Sequence, residues 1–547
     1  MRSLLAFLLV PVLAFAAPQP KPPIPTAITF TQGTVTRSLP ITGANCTDYR
    51  GTPLNGPHGQ TRFHVLCGNV AQGSFVQFQT DAGPIYPQWT WPAPTCGQKP
   101  AIASQHADCP QGTVGAGWTQ THDWACSGGV WQPLPWTPAD PPPGACAPAQ
   151  TPWQVPRYVG GDPFPAKPAK GSSFVGPYGL RVTRVTDHTI DAPGQPWLVS
   201  WYNRFQAFNA DGSMFLVYEA DGFWLAFDTQ TLALVRKLQG PAADAELQWD
   251  VSDPNIARHL PTNGGRVLWK INVRTGAVSV DWDFSAAVGA IFPNATRYWT
   301  KSEGSPTADG RYWCLMAEDD GFHNVYGFVK LDIVNRVVAW SMPNPNGTDI
   351  PDNVSCTPSG RWFVDAGTTS RPTIAYATDG SGRSHELSHK VEHGELGILR
   401  SGHDFYFGPD FSSGSPGEGW LFVVDVDTGV RSNLLRIYEN PLLGNSPGNC
   451  PNCGIHPSAR ARGKPGWAIA SFYGAAPSNI LLFNVEDGRV FGLGADYANV
   501  PPSTYWPEPH CTVDSGLRFM LCSDNLHNLS TPLDVDVYRT ELPELPQ

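Results

Sequence analysis

From about Phe174 to the C-terminus, polar turns and apolar runs alternate in a pattern that repeats. One half of each unit is a turn followed by an apolar stretch. These are "NADGSMFLVY" from Asn209, a degenerate "SDPNIARHL" from Ser252, "TADGRYWCLM" from Thr307, "TPSGRWFVDA" from Thr357, "LRSGHDFYFG" from Leu399, "RGKPGWAIAS" from Arg462 and "VDSGLRFMLC" from Val513. The other half reads strand, turn, strand, as in "VLWKINVRTGAVSVDW" and "LFVVDVDTGVRSNLLRI". The alternation and its turn punctuation predict β-strands, and long helical patterns are almost absent. Units of about fifty residues, each holding about four strands, are the signature of a β-propeller. Seven copies predict seven blades over residues 172–547. A sandwich of strand pairs would not demand such regular repetition. The last copy, "LDVDVYRTEL", is one strand short, and "YGLRVTRVTDH" (Tyr178 to His188) is expected to supply that strand and latch the ring.

The text before the repeats is different. "MRSLLAFLLVPVLAFA" carries one arginine, an apolar run too short to span a bilayer and a small-residue cleavage pattern, so residues 1–17 read as a signal peptide. After a Pro-rich joint, alternation over 27–93 predicts a small β module that Cys46 and Cys67 are expected to bridge. Residues 94–150 hold four cysteines and spaced tryptophans with little aliphatic core. They describe a thin, disulfide-held module that resembles the thrombospondin-type repeats of secreted proteins. Its tryptophans, among them Trp118, Trp124 and Trp131, serve either as sugar platforms or as packing against the disulfides. The Pro- and Gly-rich run 151–171 reads as a linker. The expected fold class is therefore all-β: a seven-bladed propeller preceded by small disulfide-rich β modules.

Twelve cysteines agree with an oxidising compartment, so the protein is expected to be secreted, extracellular or periplasmic. Asn45, Asn294, Asn346, Asn353 and Asn528 stand in glycosylation sequons. No later segment is long and apolar enough to predict a membrane span, and a monomer is expected. A net charge of −11 argues against a nucleic-acid partner. Of the remaining cysteines, Cys314 with Cys356 is expected to link neighbouring blades, Cys450 with Cys453 to close a local loop, and Cys511 with Cys522 to bridge a hairpin.

In a propeller the innermost strands surround a channel, and the residues entering them converge at one mouth. Read off the repeats, these are Arg204 and Gln206, Gln248 and Asp250, Glu303 and Ser305, Asn353 and Ser355, His393 and Glu395, His456, then Glu508 and His510. The set is polar in every blade, and the fifth to seventh bring three histidines and two carboxylates. Imidazole with carboxylate suits Mn, Zn or Fe, and carboxylate alone suits Ca, so a divalent metal (Mn, Zn or Ca) is the expected cofactor. Polar residues at a wet channel mouth need no ligand, which is the competing reading.

"WPEPHCTVDSGLRFMLCSDN", Trp506 to Asn525, resembles the last-blade segment of oligogalacturonate lyases, where a His-Pro-His step precedes a Pro-Asp-Gly turn and an apolar strand ending in Ser-Asp. The resemblance implies metal ligation by His510, which matches the second histidine of that step, and by His456 from the preceding blade. Glu508 stands where the family has its first histidine, and Tyr505 where its glutamine is expected. The activity implied is β-elimination on an acidic polysaccharide. The metal at His456, Glu508 and His510 would neutralise a uronate carboxylate, aided by Arg204. His393 or His403 would be the base, and Tyr505 or Tyr202 the acid. Arg460, Arg462 and Lys464 form the most basic short loop in an acidic protein and, with Gln206 and Glu395, are the expected substrate contacts. The alternatives are a non-catalytic extracellular propeller that binds glycan or protein, and a hydrolase using Asp250 and Glu395. Nucleophile-elbow, phosphate-loop and His-Glu-X-X-His motifs are absent.

Overall fold

Short strands that are apolar on both faces must be covered on both faces, and stacking sheet against sheet around a closed ring does this without leaving long edges. The computed structural model describes residues 153–545 apart from 391–392 and 501–503, and of residues 1–152 it describes only backbone strands. The expectations for the signal peptide, the Cys46–Cys67 bridge, the thrombospondin-like module and its tryptophans lie outside the described residues. The chain divides into two compact units, Met1–Thr151 and Pro152–Gln547.

The second unit is a seven-bladed β-propeller. Six blades are four-stranded antiparallel sheets built in chain order, beginning with Leu198–Val199 to Leu234–Ala242 and ending with Gly454–Ser458 to Val490–Asp496. In most of them the second and third strands are buried almost throughout, for example Met214–Glu219 and Ser478–Asn484, whereas in blade 2 Ile256–His259 and Val267–Asn272 alternate buried and part-buried positions. Outer strands such as Val337–Pro343 alternate exposed and part-buried, as a single covered face requires.

The seventh blade closes the ring from both ends of the unit. Its inner strands are Thr512–Val513, Phe519–Asp524 and Asp536–Glu541, and Arg181–Arg184 then adds antiparallel to Asp536–Glu541, followed by Ser173–Val175. The strand expected from Tyr178–His188 therefore latches the ring. Salt bridges back the seam: Asp536 takes Arg184 at 2.7 Å and Lys167 at 2.8 Å. Residues 153–171, read from sequence as a linker, lie along the propeller, with Trp153 Nε1 donating to the Glu544 carbonyl and the Arg157 carbonyl accepting from Asn479 Nδ2 at 3.0 Å. Cys314–Cys356 joins blade 3 to blade 4, Cys450–Cys453 closes a local loop and Cys511–Cys522 spans the last hairpin. Among the described residues no helix is long and apolar enough to cross a membrane.

Candidate metal centre

His456 lies in the innermost strand of blade 6, Gly454–Ser458, where its side chain is fully buried. Glu508 and His510 belong to the turn that enters the innermost strand of blade 7, Thr512–Val513. Pro507 and Pro509 stiffen that turn by fixing φ on either side of Glu508. His510 sits at φ 38°, a left-handed conformation that a histidine holds only when its surroundings impose it. Three contacts impose it. The Cys511–Cys522 disulfide anchors the next residue, Ser200 Oγ donates to the His510 carbonyl at 3.0 Å, and Ser523 N donates to the Pro509 carbonyl at 2.8 Å. The His456 carbonyl accepts from Ser471 Oγ at 3.1 Å.

The three side chains meet. His456 Nε2 lies 2.7 Å from Glu508 Oε2, His510 Nε2 lies 3.6 Å from the same oxygen, and one ligand atom from each falls within 4.8 Å of the others. Burial alone would raise the Glu508 carboxyl, but the hydrogen bond with His456 and the nearby His510 imidazole outweigh it and hold the group at about 2. Burial pushes both imidazoles the other way, His510 below its ordinary value and His456 well below. The centre is thus an ionised carboxylate with two neutral imidazoles, each with one lone pair for a cation; His456 donates Nε2–H to Glu508, which leaves its lone pair on the buried Nδ1. Neither ring nitrogen of His510, nor His456 Nδ1, has a hydrogen-bond partner, although all are buried. An unmet buried polar group costs about 1–3 kcal/mol, so a divalent cation that used the His510 lone pair would relieve a real penalty. The donor set fits such an ion.

Aromatic and basic groups frame the cluster. His393, exposed at the rim of blade 5, stacks on His456 with ring centroids 5.1 Å apart. Its Nδ1 is 3.0 Å from the Ile455 carbonyl, which requires Nδ1–H and leaves Nε2 as the lone-pair nitrogen. Desolvation of its inner face and the Arg204 charge lower its pKa. Tyr505 stacks near His510 at 4.7 Å and is 44% exposed. Its desolvated ring base and the charges of Glu303 and Glu508 raise its phenol, so the group stays protonated. Tyr202 packs against both histidines, 5.6 Å from His456 and 5.2 Å from His510. Arg204 is buried and paired with Glu303 at 2.6 Å.

Below this layer buried side chains pair across the channel. Arg460, fully buried, pairs with Glu395 and donates to Ser305 Oγ at 2.8 Å, so one guanidinium ties blades 6, 5 and 3 together. Gln206 donates to the Arg460 carbonyl at 3.1 Å. Arg462 donates to the Pro306 and Thr307 carbonyls, both at 3.2 Å.

The structure therefore brings together His456, Glu508, His510, His393, Tyr505, Tyr202 and Arg204 at one mouth. It places Arg460, Arg462, Glu395 and Gln206 inside the channel, so of the expected basic loop only Lys464 is exposed. His403 is at the opposite end of the blade-5 inner strand from His393, where it pairs with Asp425 at 2.9 Å. Asp250 is turned away in an ion pair with Arg258, and the two hydrolase carboxylates, Asp250 and Glu395, are each already paired with an arginine. Sequence reasoning missed Tyr473, whose ring stacks on His456 at 4.9 Å, because an aromatic in a second strand carries no signal beyond core packing.

No protein-family model matches the chain, and no curated protein matches it. Among solved structures, an oligogalacturonate lyase in complex with manganese is 13% identical with a TM-score of 0.47, covering 69% of this chain and 99% of that one. The oligogalacturonate lyase from Vibrio parahaemolyticus is 12% identical with a TM-score of 0.46 and the same coverage. The WD40 domain of Neurospora crassa Pan2 is 12% identical with a TM-score of 0.40, covering 67% and 97%.

Proposed function

We propose that this propeller is a metal-dependent polysaccharide lyase that cleaves a uronate-containing glycan by β-elimination at the His456–Glu508–His510 mouth. One observation carries the reading: the unpartnered buried nitrogens of His510 beside an ionised Glu508, flanked by a neutral histidine and a protonated tyrosine. A divalent cation held by His456, Glu508 and His510 would supply Lewis acidity to a uronate carboxylate and so acidify the neighbouring C5–H bond. The chain provides the rest. His393 Nε2 takes the C5 proton, the electron pair left behind forms the C4–C5 double bond, and the C4–O bond breaks. Tyr505 Oη, on the other side of the cluster and open to solvent, gives its proton to the departing oxygen. Arg204, fixed by Glu303, adds positive charge near the carboxylate.

The test is absorbance at the unsaturated-uronate band while purified protein meets a panel of acidic polysaccharides with added Mn²⁺. A rise abolished by chelator and by His510→Ala supports the reading. Mn²⁺ bound at one equivalent with no rise on any polymer would overturn the catalytic part and leave a cation-binding scaffold.

A further inference from the structure

A cleft of about 290 Å³ opens beside the mouth, between blades 1, 3 and 7, lined by Trp201, Tyr202, Trp299, Lys301, Tyr505 and Trp506, with Asp244 and Glu303 at its edge. Tyr202 and Trp299 are buried in its wall, whereas Trp201, Trp506 and Tyr505 keep part of their ring surface open to it. Trp506 is half-buried and backed by Trp197, stacked at 4.2 Å. Trp201 is half-buried and braced edge-on by Tyr218 at 4.4 Å. The Trp299 indole is tethered by donation to Glu318 at 2.7 Å. Tyr505 stands edge-on to Trp506 at 5.4 Å and reaches His510, so the cleft runs directly into the metal centre.

The floor of the cleft is conformationally forced. Lys301 and Ser302 adopt φ 65° and 71° in succession, which costs about 1–2 kcal/mol per residue for side-chain-bearing residues. Glu246, buried beneath them, holds the turn by accepting from Thr300 N at 2.6 Å and Ser302 N at 3.0 Å. Gly304 completes it, since a Cβ there would lie 1.9 Å from the Val354 carbonyl. A strained turn sustained by a buried carboxylate, which sets Lys301 beside Trp201 and Trp506 with its Nζ donating to the Pro351 carbonyl at 3.3 Å, is the kind of preorganisation found where a ligand is gripped.

We infer that this cleft is a second sugar subsite, which takes the uronate ring adjoining the one whose carboxylate faces the cation; the inference rests on the metal-centre reading for its direction along the glycan. A pyranose offers a face of C–H bonds to the electron-rich face of an indole and an equator of hydroxyls to side chains at the rim. Trp506 and Trp201 supply the stacking surface, Lys301 the counter-charge for the ring's carboxylate, and Asp244 an acceptor for its hydroxyls.

The experiment is titration of the full chain with uronate trisaccharides of the galacturonate, glucuronate and mannuronate series, in EDTA and in Mn²⁺, read by tryptophan emission and calorimetry. Bound Mn²⁺ is measured separately. At least one trisaccharide should bind in EDTA with an emission shift. Lys301→Gln should weaken it about tenfold, a change of about 1.4 kcal/mol, and leave its carboxyl-reduced counterpart unaffected. Trp506→Leu should weaken both. If Trp506→Leu fails to fold, Lys301→Gln decides alone. Mn²⁺ uptake with no trisaccharide bound in any series, or unchanged affinity in Lys301→Gln, would overturn the subsite. Trisaccharide binding without Mn²⁺ uptake would instead overturn the metal reading and leave the subsite standing.

Discussion

Replacement of His510 by alanine is expected to abolish the thermal stabilisation that a divalent cation gives the protein, at little cost to the cation-free fold. The imidazole is fully buried and neither of its nitrogens has a partner. Removing it deletes an unmet polar penalty of about 1–3 kcal/mol. It also opens a cavity whose cost is of similar size, so in chelator the variant should unfold within about 1–2 kcal/mol of wild type. A cation at a hundredfold excess over its dissociation constant adds about 2.7 kcal/mol to the wild type. With an unfolding entropy of about 0.8 kcal/mol/K for a unit of roughly 400 residues, Tm should rise by about 3 °C. Loss of one of three ligands, weakening binding at least about a hundredfold, leaves about 0.4 kcal/mol at the same concentration, a shift of about 0.5 °C. Differential scanning calorimetry in Mn²⁺ and in EDTA reads both numbers. If wild type shows no Mn²⁺ shift and His510→Ala loses about 3–5 kcal/mol in EDTA, as truncation of a buried core aromatic does, His510 is a packing residue and the argument fails.

Burial holds Glu246 up at about 7 from an ordinary value of 4.5. An acid raised on folding contributes its stability below its unfolded pKa and loses it as pH climbs toward 7, on the order of 3 kcal/mol here. Urea unfolding between pH 4.5 and 7 should therefore weaken with rising pH in wild type and less so in Glu246→Gln; equal slopes would mean that Glu246 does not titrate there. In the channel, Arg460→Met should destabilise by about 3–5 kcal/mol because it strands Glu395. Arg460→Met with Glu395→Leu should recover most of that loss, and additive costs in the double-mutant cycle would refute the pairing. Removing the blade-3 to blade-4 link with Cys314→Ser and Cys356→Ser opens a loop of 42 residues and should cost about 4 kcal/mol in guanidinium unfolding. No loss there would mean that blade contacts alone set the stability of that seam.

The blades were legible because each one states its turn and its buried strand separately, and a closed ring repeats that statement. The latch was legible for a topological reason: a last blade one strand short must borrow from the other end of the ring. The candidate cation site was legible in part. His456, Glu508 and His510 each lie where a chain enters or begins an inner strand, and ring closure brings blades 6 and 7 side by side. Residues picked on other grounds than strand entry lie elsewhere. Arg460 and Arg462 follow an inner strand rather than precede it, so they point along the channel toward blade 3 and fill it, although the sequence shows only a basic loop. His403 has the composition of a base but sits past the far end of its strand. The aromatic cleft left no local trace at all. Trp201, Trp299 and Trp506 come from three blades and read singly as core residues. What sets them apart is the left-handed turn at Lys301 and Ser302, imposed by a carboxylate more than fifty positions upstream. A repeat declares its architecture in every copy, whereas a site declares itself only where copies stop being alike. Here the departures are Glu508 before the last inner strand and the Lys301 turn, and they converge on one mouth.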